Sequence, residues 1–178
     1  DPSVFYPTID YNHFHIQYAR NWLNQHPEKK IFVSNGVTLS GQAHNFAMGP
    51  LIDSIAKRHS DKTFILSNLE SGVTANNIYF SERIIQKGFS DLNENAFLSE
   101  HCDTIIGRAS GSFTFALTQN NLFNRDCKIL CLSNLVPPRE GKFWLADLLS
   151  DKINYRSPVK TSNESDSGNL INLMESHI

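Results

Sequence analysis

Short, continuously apolar runs alternate with amphipathic stretches along most of this chain. Lys29-Lys30-Ile31-Phe32-Val33-Ser34 closes on Asn35-Gly36, which predicts a buried strand followed by a turn. Thr63–Ser67, Ile78–Phe80, Asp103–Gly107 and Lys128–Leu132 also read as strands. Helical spacing fills the intervals. Tyr11, Phe14, Ile16, Tyr18, Trp22 and Leu23 predict an amphipathic helix of about a dozen residues, starting at Asp10 and ended by Pro27. Leu51, Ile52, Ile55 and Ala56 predict a second helix ending near His59. Further helices are expected over Ser81–Lys87, stopped by Gly88, and over Leu92–His101, capped by Ser90 or Asp91. Two more are expected over Ser112–Thr118 and Phe143–Leu149. Pro2 and Pro7 keep residues 1–9 extended.

Strands alternating with helices predict an α/β fold: a Rossmann-like parallel sheet with helices on both faces. The strand runs are apolar at successive positions rather than at every second one, as strands covered on both sides are. This domain, with its N-terminal helix, is expected over residues 1–156. From Ser157 to Gly168 the chain is polar and rich in loop formers, which reads as a flexible linker. Leu170, Ile171, Leu173 and Met174 then predict one or two helical turns, so 157–178 is read as linker plus short C-terminal helix.

Charge and cysteine usage narrow the function classes. The 178 residues hold 16 basic and 18 acidic side chains, a net charge of -2. That balance supplies no basic footprint for nucleic acid and no polybasic segment for an anionic membrane. No apolar run approaches the roughly 20 residues of a membrane-spanning helix. The first residues have neither a basic n-region nor an apolar h-region, so a cytoplasmic location is expected. The start at Asp1 rather than Met suggests a fragment of a longer protein. Three cysteines, Cys102, Cys127 and Cys131, are an odd count for a disulfide framework. Cys127 and Cys131 flank Lys128-Ile129-Leu130, a strand, so they read as buried thiols and no metal site is expected. His13 and His15 sit in an expected helix, where positions i and i+2 face apart.

In open parallel sheets, ligands bind beyond the carboxyl ends of the strands. Three loops fall there. The first, Ser34 to Gln42, brings Asn35, Gly36, Thr38, Ser40 and Gly41, which suit phosphate or sugar oxygens; His44 follows it. It is neither a Walker loop nor G-x-G-x-x-G. The second, Ser67 to Gly72, brings Glu70, a carboxylate that could accept from ribose hydroxyls. The third, Gly107-Arg108-Ala109-Ser110-Gly111-Ser112, joins a strand to a helix. Bare backbone N–H groups at Gly111, the hydroxyls of Ser110 and Ser112 and the cation of Arg108 predict a site for an anion such as a diphosphate. Both serines could equally serve as helix caps.

The stretch from Asn95 to Ala116, Asn-Ala-Phe-Leu-Ser-Glu-His-Cys-Asp-Thr-Ile-Ile-Gly-Arg-Ala-Ser-Gly-Ser-Phe-Thr-Phe-Ala, resembles the C-terminal domain of GT-B-fold glycosyltransferases. It is similar to the heptosyltransferase-like group and to bacterial fucosyltransferases, where a helix, a strand and a Ser/Thr-Gly turn form part of the donor site. It departs from the heptosyltransferase pattern at Ala109, where an acidic residue is usual, and at Thr114, where a histidine is usual. The resemblance implies a nucleotide-sugar donor as substrate, with no cofactor, held nearest Ser110, Gly111 and Ser112. It implies transfer to an acceptor it does not identify: a glycan, a lipid-linked sugar or a protein. It also implies an N-terminal domain of the same chain that supplies the catalytic base, and no residue in this sequence is assigned that role. Two other readings stand beside it: a nucleotide or sugar-phosphate binding module without turnover, and a structural docking domain.

Overall fold

A computed structural model describes residues 6–39, 41, 43–86, 91–133, 152–156 and 164–178. Six parallel strands form one sheet in the order β3-β2-β1-β4-β5-β6, with β1 Lys30–Ser34, β2 Thr63–Leu66, β3 Ile78–Phe80, β4 Thr104–Arg108, β5 Lys128–Leu132 and β6 Ile153–Arg156. The helices are α1 Gln17–Gln25, α2 Gly49–Arg58, α3 Ser81–Ile85, α4 Leu92–Ser99, α5 Gly111–Phe115 and α6 Glu164–Glu175. This is the α/β, Rossmann-like arrangement that the alternating pattern predicts.

The pleat divides the strand side chains between two apolar cores. Phe32, Ile65, Ile105 and Ile129 face the layer formed by α1, α3, α4 and α5, where Ala19, Ile85, Leu98 and Phe113 meet them. Ile31, Val33, Phe64, Leu66, Ile106 and Leu130 face the opposite layer, where Ile52 and Ile55 of α2 and Met174 of α6 meet them. Every residue of β1, β2 and β4 is buried, which is why those segments lack the alternation of a half-solvated strand.

Several boundaries differ from the sequence reading. The first helix is broken in two. Asp10 accepts a hydrogen bond from Asn12 N at 3.0 Å and caps a single turn over Tyr11–His13; Phe14 is then extended, and α1 starts only at Gln17. A local Asp cap has competed with helix continuation. α3 stops at Ile85 because Gln86 turns left-handed at φ 57°, and the expected stop at Gly88 lies outside the described residues. Asp91 is the N-cap of α4 by position, but its carboxylate makes no capping bond and accepts from Asn95 Nδ2 at 2.9 Å. β6 has no counterpart in the sequence reading; it pairs with β5 and buries Ile153.

The linker expected over 157–168 differs most from what the structure holds. Residues 157–163 are outside the described set, but α6 already begins at Glu164 and carries Gly168 within it. Leu170 and Met174, four residues apart, are buried, and Met174 joins the α2 core. Tertiary burial has overridden the poor helix propensity of the Ser/Asp/Gly residues. Arg58 and His59 at the end of α2 fasten the helix through Glu175, at 2.7 and 3.4 Å. The expected helix at Phe143–Leu149 lies outside the described residues.

Candidate functional site

The strand order reverses between β1 and β4. From β1 the chain leaves toward α2 on one face, and from β4 toward α5 on the other. The two departing loops leave a crevice, the place where such sheets accept ligands. Gly107 makes the closure possible. A Cβ there would stand 2.5 Å from Phe113 Cδ2 and 2.8 Å from Ser34 Cβ, so only glycine lets α5 settle on the strand ends.

Three hydroxyls meet in the crevice. Ser34 Oγ lies 3.4 Å from Ser112 Oγ, which lies 3.0 Å from Ser110 Oγ. Ser110 is also the N-cap of α5, accepting from Phe113 N at 3.2 Å, so its capping and site roles share one oxygen. Gly36 passes between this group and the second loop; a Cβ on it would be 3.0 Å from Ser112 Oγ and 3.2 Å from Asn68 Oδ1. Gly111 is different. Its φ is not left-handed, and a Cβ on it would meet nothing within 4 Å. The fold does not require glycine at this position.

Asn35 is the hub that joins the first two loops. Buried at the end of β1, it accepts on Oδ1 from Asn68 N at 2.8 Å and from Ser67 Oγ at 3.1 Å. Its Nδ2 donates to Asn68 O at 3.0 Å and to Glu70 Oε2 at 2.9 Å. Both amide ends are therefore committed, and the bond from Asn68 N fixes which end faces Glu70. Asn35 positions Glu70 rather than presenting a free group of its own.

Arg108 does not reach outward. It is 2% exposed, and its terminal nitrogens donate to three backbone carbonyls: Nη1 to Asn35 O and Gly36 O, Nη2 to Phe46 O. The guanidinium carbon sits 4.9 Å from the Phe46 ring centroid. Its Nε is buried without a hydrogen-bond partner. Burial lowers the arginine's pKa, and the Glu70 carboxylate opposes that shift. Arg108 thus staples the loops and leaves a positive charge beneath them.

Beside the crevice, a cavity of about 500 Å³ opens between the loops after β1 and β2; Asn35, Gly36, Phe46, Asn68, Glu70 and Arg108 are in its wall. Val37 and Leu69 line it as well, 70% and 52% exposed. Sequence reasoning missed Ser34, Asn68 and Phe46. The first two follow the rule that polar residues at strand carboxyl ends face the ligand edge; nothing in the sequence distinguishes Phe46.

The remaining candidates from the first loop divide. Thr38 is buried, and its backbone is locked to Asn45, with Thr38 N to Oδ1 at 2.9 Å and Nδ2 to Thr38 O at 2.7 Å. Gly41 turns that closed loop at φ 70° and is exposed. Neither lines the cavity, and Ser40 is outside the described residues.

Among the described residues, no group of three His, Cys, Asp or Glu side chains could hold a metal, and no helix is long and apolar enough to cross a membrane. Cys102 and Cys131 are buried, and desolvation pushes the Cys131 thiol up to about 12. No protein-family model and no curated protein matches the chain.

Proposed function

We propose that this chain is the nucleotide-sugar-binding domain of a glycosyltransferase, with the donor diphosphate seated in the crevice between β1 and β4. The observation that carries the reading is Gly111, a glycine the fold has no need of, placed beside Ser110 and Ser112 where the strand order reverses. Its missing side chain lets backbone N–H groups approach an anion. α5 is only five residues long, so its dipole contributes little, and the hydroxyls and bare amides carry the interaction. The stretch resembling GT-B enzymes runs from α4 through β4 into α5, and its turn from Gly107 to Ser112 borders this crevice.

In this reading the leaving diphosphate is stabilised by donors fixed in advance. Arg108 contributes charge from below and acts on the ligand through the loops it holds. The base that activates the acceptor comes from a partner domain. Titration with nucleoside diphosphates and their sugar conjugates tests the proposal. One of them raises the melting temperature of the native chain as RT ln(1 + [L]/Kd). Gly111→Val fills the open space, leaves the ligand-free melting temperature within about 2 °C and weakens binding at least tenfold. Equal binding by Gly111→Val, or no binding of any of these ligands, sinks the reading.

A further inference from the structure

The amino ends of the strands, at the sheet edge opposite the crevice, hold a cluster of charge that the diphosphate reading does not use. A cavity of about 140 Å³ lies there, walled by Lys29, Lys30, Lys62 and Lys128 together with Asp103 and Asp126. The lysines come from distant parts of the sequence. Lys30 and Lys128 are the first residues of β1 and β5, Lys62 immediately precedes β2, and Lys29 precedes β1. The parallel register gathers them: Lys30 stands beside Thr63, Ile31 beside Thr104, and Thr104 beside Lys128.

Lys30 carries the argument. It is 7% exposed, and lysine is almost never buried to that degree without an anionic partner. Its Nζ donates to Glu28 O at 2.7 Å, and no other described acceptor takes the remaining N–H donors of the ammonium. Its backbone N–H holds Asp103 by Oδ2 at 3.1 Å. Yet no described carboxylate, the terminal one of Ile178 included, lies within 4.0 Å of the ammonium groups of Lys29, Lys30 or Lys128. Lys62 alone of the four is paired, with Asp61 at 3.4 Å. A desolvated ammonium without a counter-ion is strongly unfavourable, so an anion in the cavity removes a cost that the fold otherwise carries. At roughly 30 Å³ per water the space takes about four or five molecules. That is the size of a single phosphate group and too small for a nucleotide. Ammonium groups bind phosphate as point charges, and lysines arriving from different strands can each meet a different oxygen. Asp103 and Asp126 offset only part of the positive charge. A doubly charged phosphate gains more from the excess than a singly charged carboxylate of similar size. We propose that the cavity between Lys29, Lys30, Lys62 and Lys128 binds a phosphate group, free or carried as a monoester, at a site separate from the crevice.

The test is a calorimetric titration of the whole chain with inorganic phosphate, glycerol 3-phosphate and acetate at constant ionic strength, so that general screening is the same in each. Inorganic phosphate binds with a Kd of about 1 mM or tighter and at least about fivefold more tightly than acetate. Lys29→Gln and Lys128→Gln, both at exposed positions, each weaken it about five- to tenfold. Lys30→Met abolishes it, and Gly111→Val, at the opposite edge, leaves it within about twofold. Tighter binding of glycerol 3-phosphate assigns the site to a monoester, and tighter binding of inorganic phosphate assigns it to the free ion. Phosphate binding that survives Lys29→Gln and Lys128→Gln but is lost in Gly111→Val places the anion in the crevice; it overturns this site and leaves the diphosphate reading standing. Acetate binding as tight as phosphate, or no binding of either phosphate, overturns the proposal whatever the nucleoside diphosphates do.

Discussion

Replacing Arg108 with methionine keeps the length of the side chain and removes its charge and its donors. Three backbone carbonyls lose a charged partner: Asn35 O, Gly36 O and Phe46 O. Hydrogen bonds to charged groups contribute about 1.5–3 kcal/mol each. They do not add here, because all three come from one guanidinium and its desolvation cost vanishes with it. Water can also reach carbonyls that border the cavity. A net loss of about 3–5 kcal/mol remains, the range for breaking a buried charged network. With a urea m-value of about 2 kcal/mol/M, the midpoint of denaturation falls by about 1.5–2.5 M. Equilibrium urea unfolding followed by circular dichroism reads this directly, with Ser112→Ala as a control expected to stay within about 0.5 kcal/mol. A loss below about 1 kcal/mol in Arg108→Met refutes the staple and returns Arg108 to the role of a free ligand arm. Arg108→Ala is therefore a poor probe of anion binding, since any weakening would mix lost contacts with collapsed loops.

Asp53 offers a pH test. Burial alone would raise its pKa, but hydrogen bonds from Lys57, Thr74 N and Ala75 N outweigh that and bring it down from 3.8 to about 2. A depressed folded-state pKa stabilises above the unfolded value, so that contribution fades as pH falls from about 4 through 2. Discounted for a half-exposed Lys57, it amounts to about 1–2 kcal/mol, and Asp53→Asn should flatten the fall in melting temperature across that window. Gly107→Ala forces a Cβ to 2.5 Å from Phe113 and should cost about 1–3 kcal/mol in chemical denaturation; wild-type stability there would contradict the close packing of α5. Met174→Ala should cost about 2–4 kcal/mol, and an unchanged melting curve would mean that α6 is not seated on α2.

How much of the molecule is legible in its sequence depends on what fixes each feature. β1, β2, β4 and β5 each carry consecutive apolar residues because both faces are covered, and no local alternative competes with that pattern. The break at Phe14 hangs on one capping carboxylate, which helical periodicity does not register. α6 is held by Leu170 and Met174 against a surface supplied by α2, so its extent is a tertiary fact that composition concealed. In the site, the adjacency of the Asn35–Gly36 and Ser110–Ser112 segments follows from the general rule for open sheets. The direction of Arg108 does not. A guanidinium between two loops can turn to a ligand or to backbone carbonyls, and only the position of Phe46 O, more than sixty residues earlier, decides between them.

The crevice also constrains the order in which the chain must assemble. Ser34 and Ser112 are 78 residues apart, and Arg108 reaches back 73 residues to Asn35. β1 finds β2 through one crossover, but its other edge, bearing Ile31, Phe32 and Val33, stays unpaired until β4 has been synthesised. During that interval the nascent chain presents an open apolar strand edge, the feature most prone to pairing with the wrong neighbour. A product ending before Thr104 would therefore carry no weakened version of the site. It would lack the site altogether and expose in its place the central strand of the sheet.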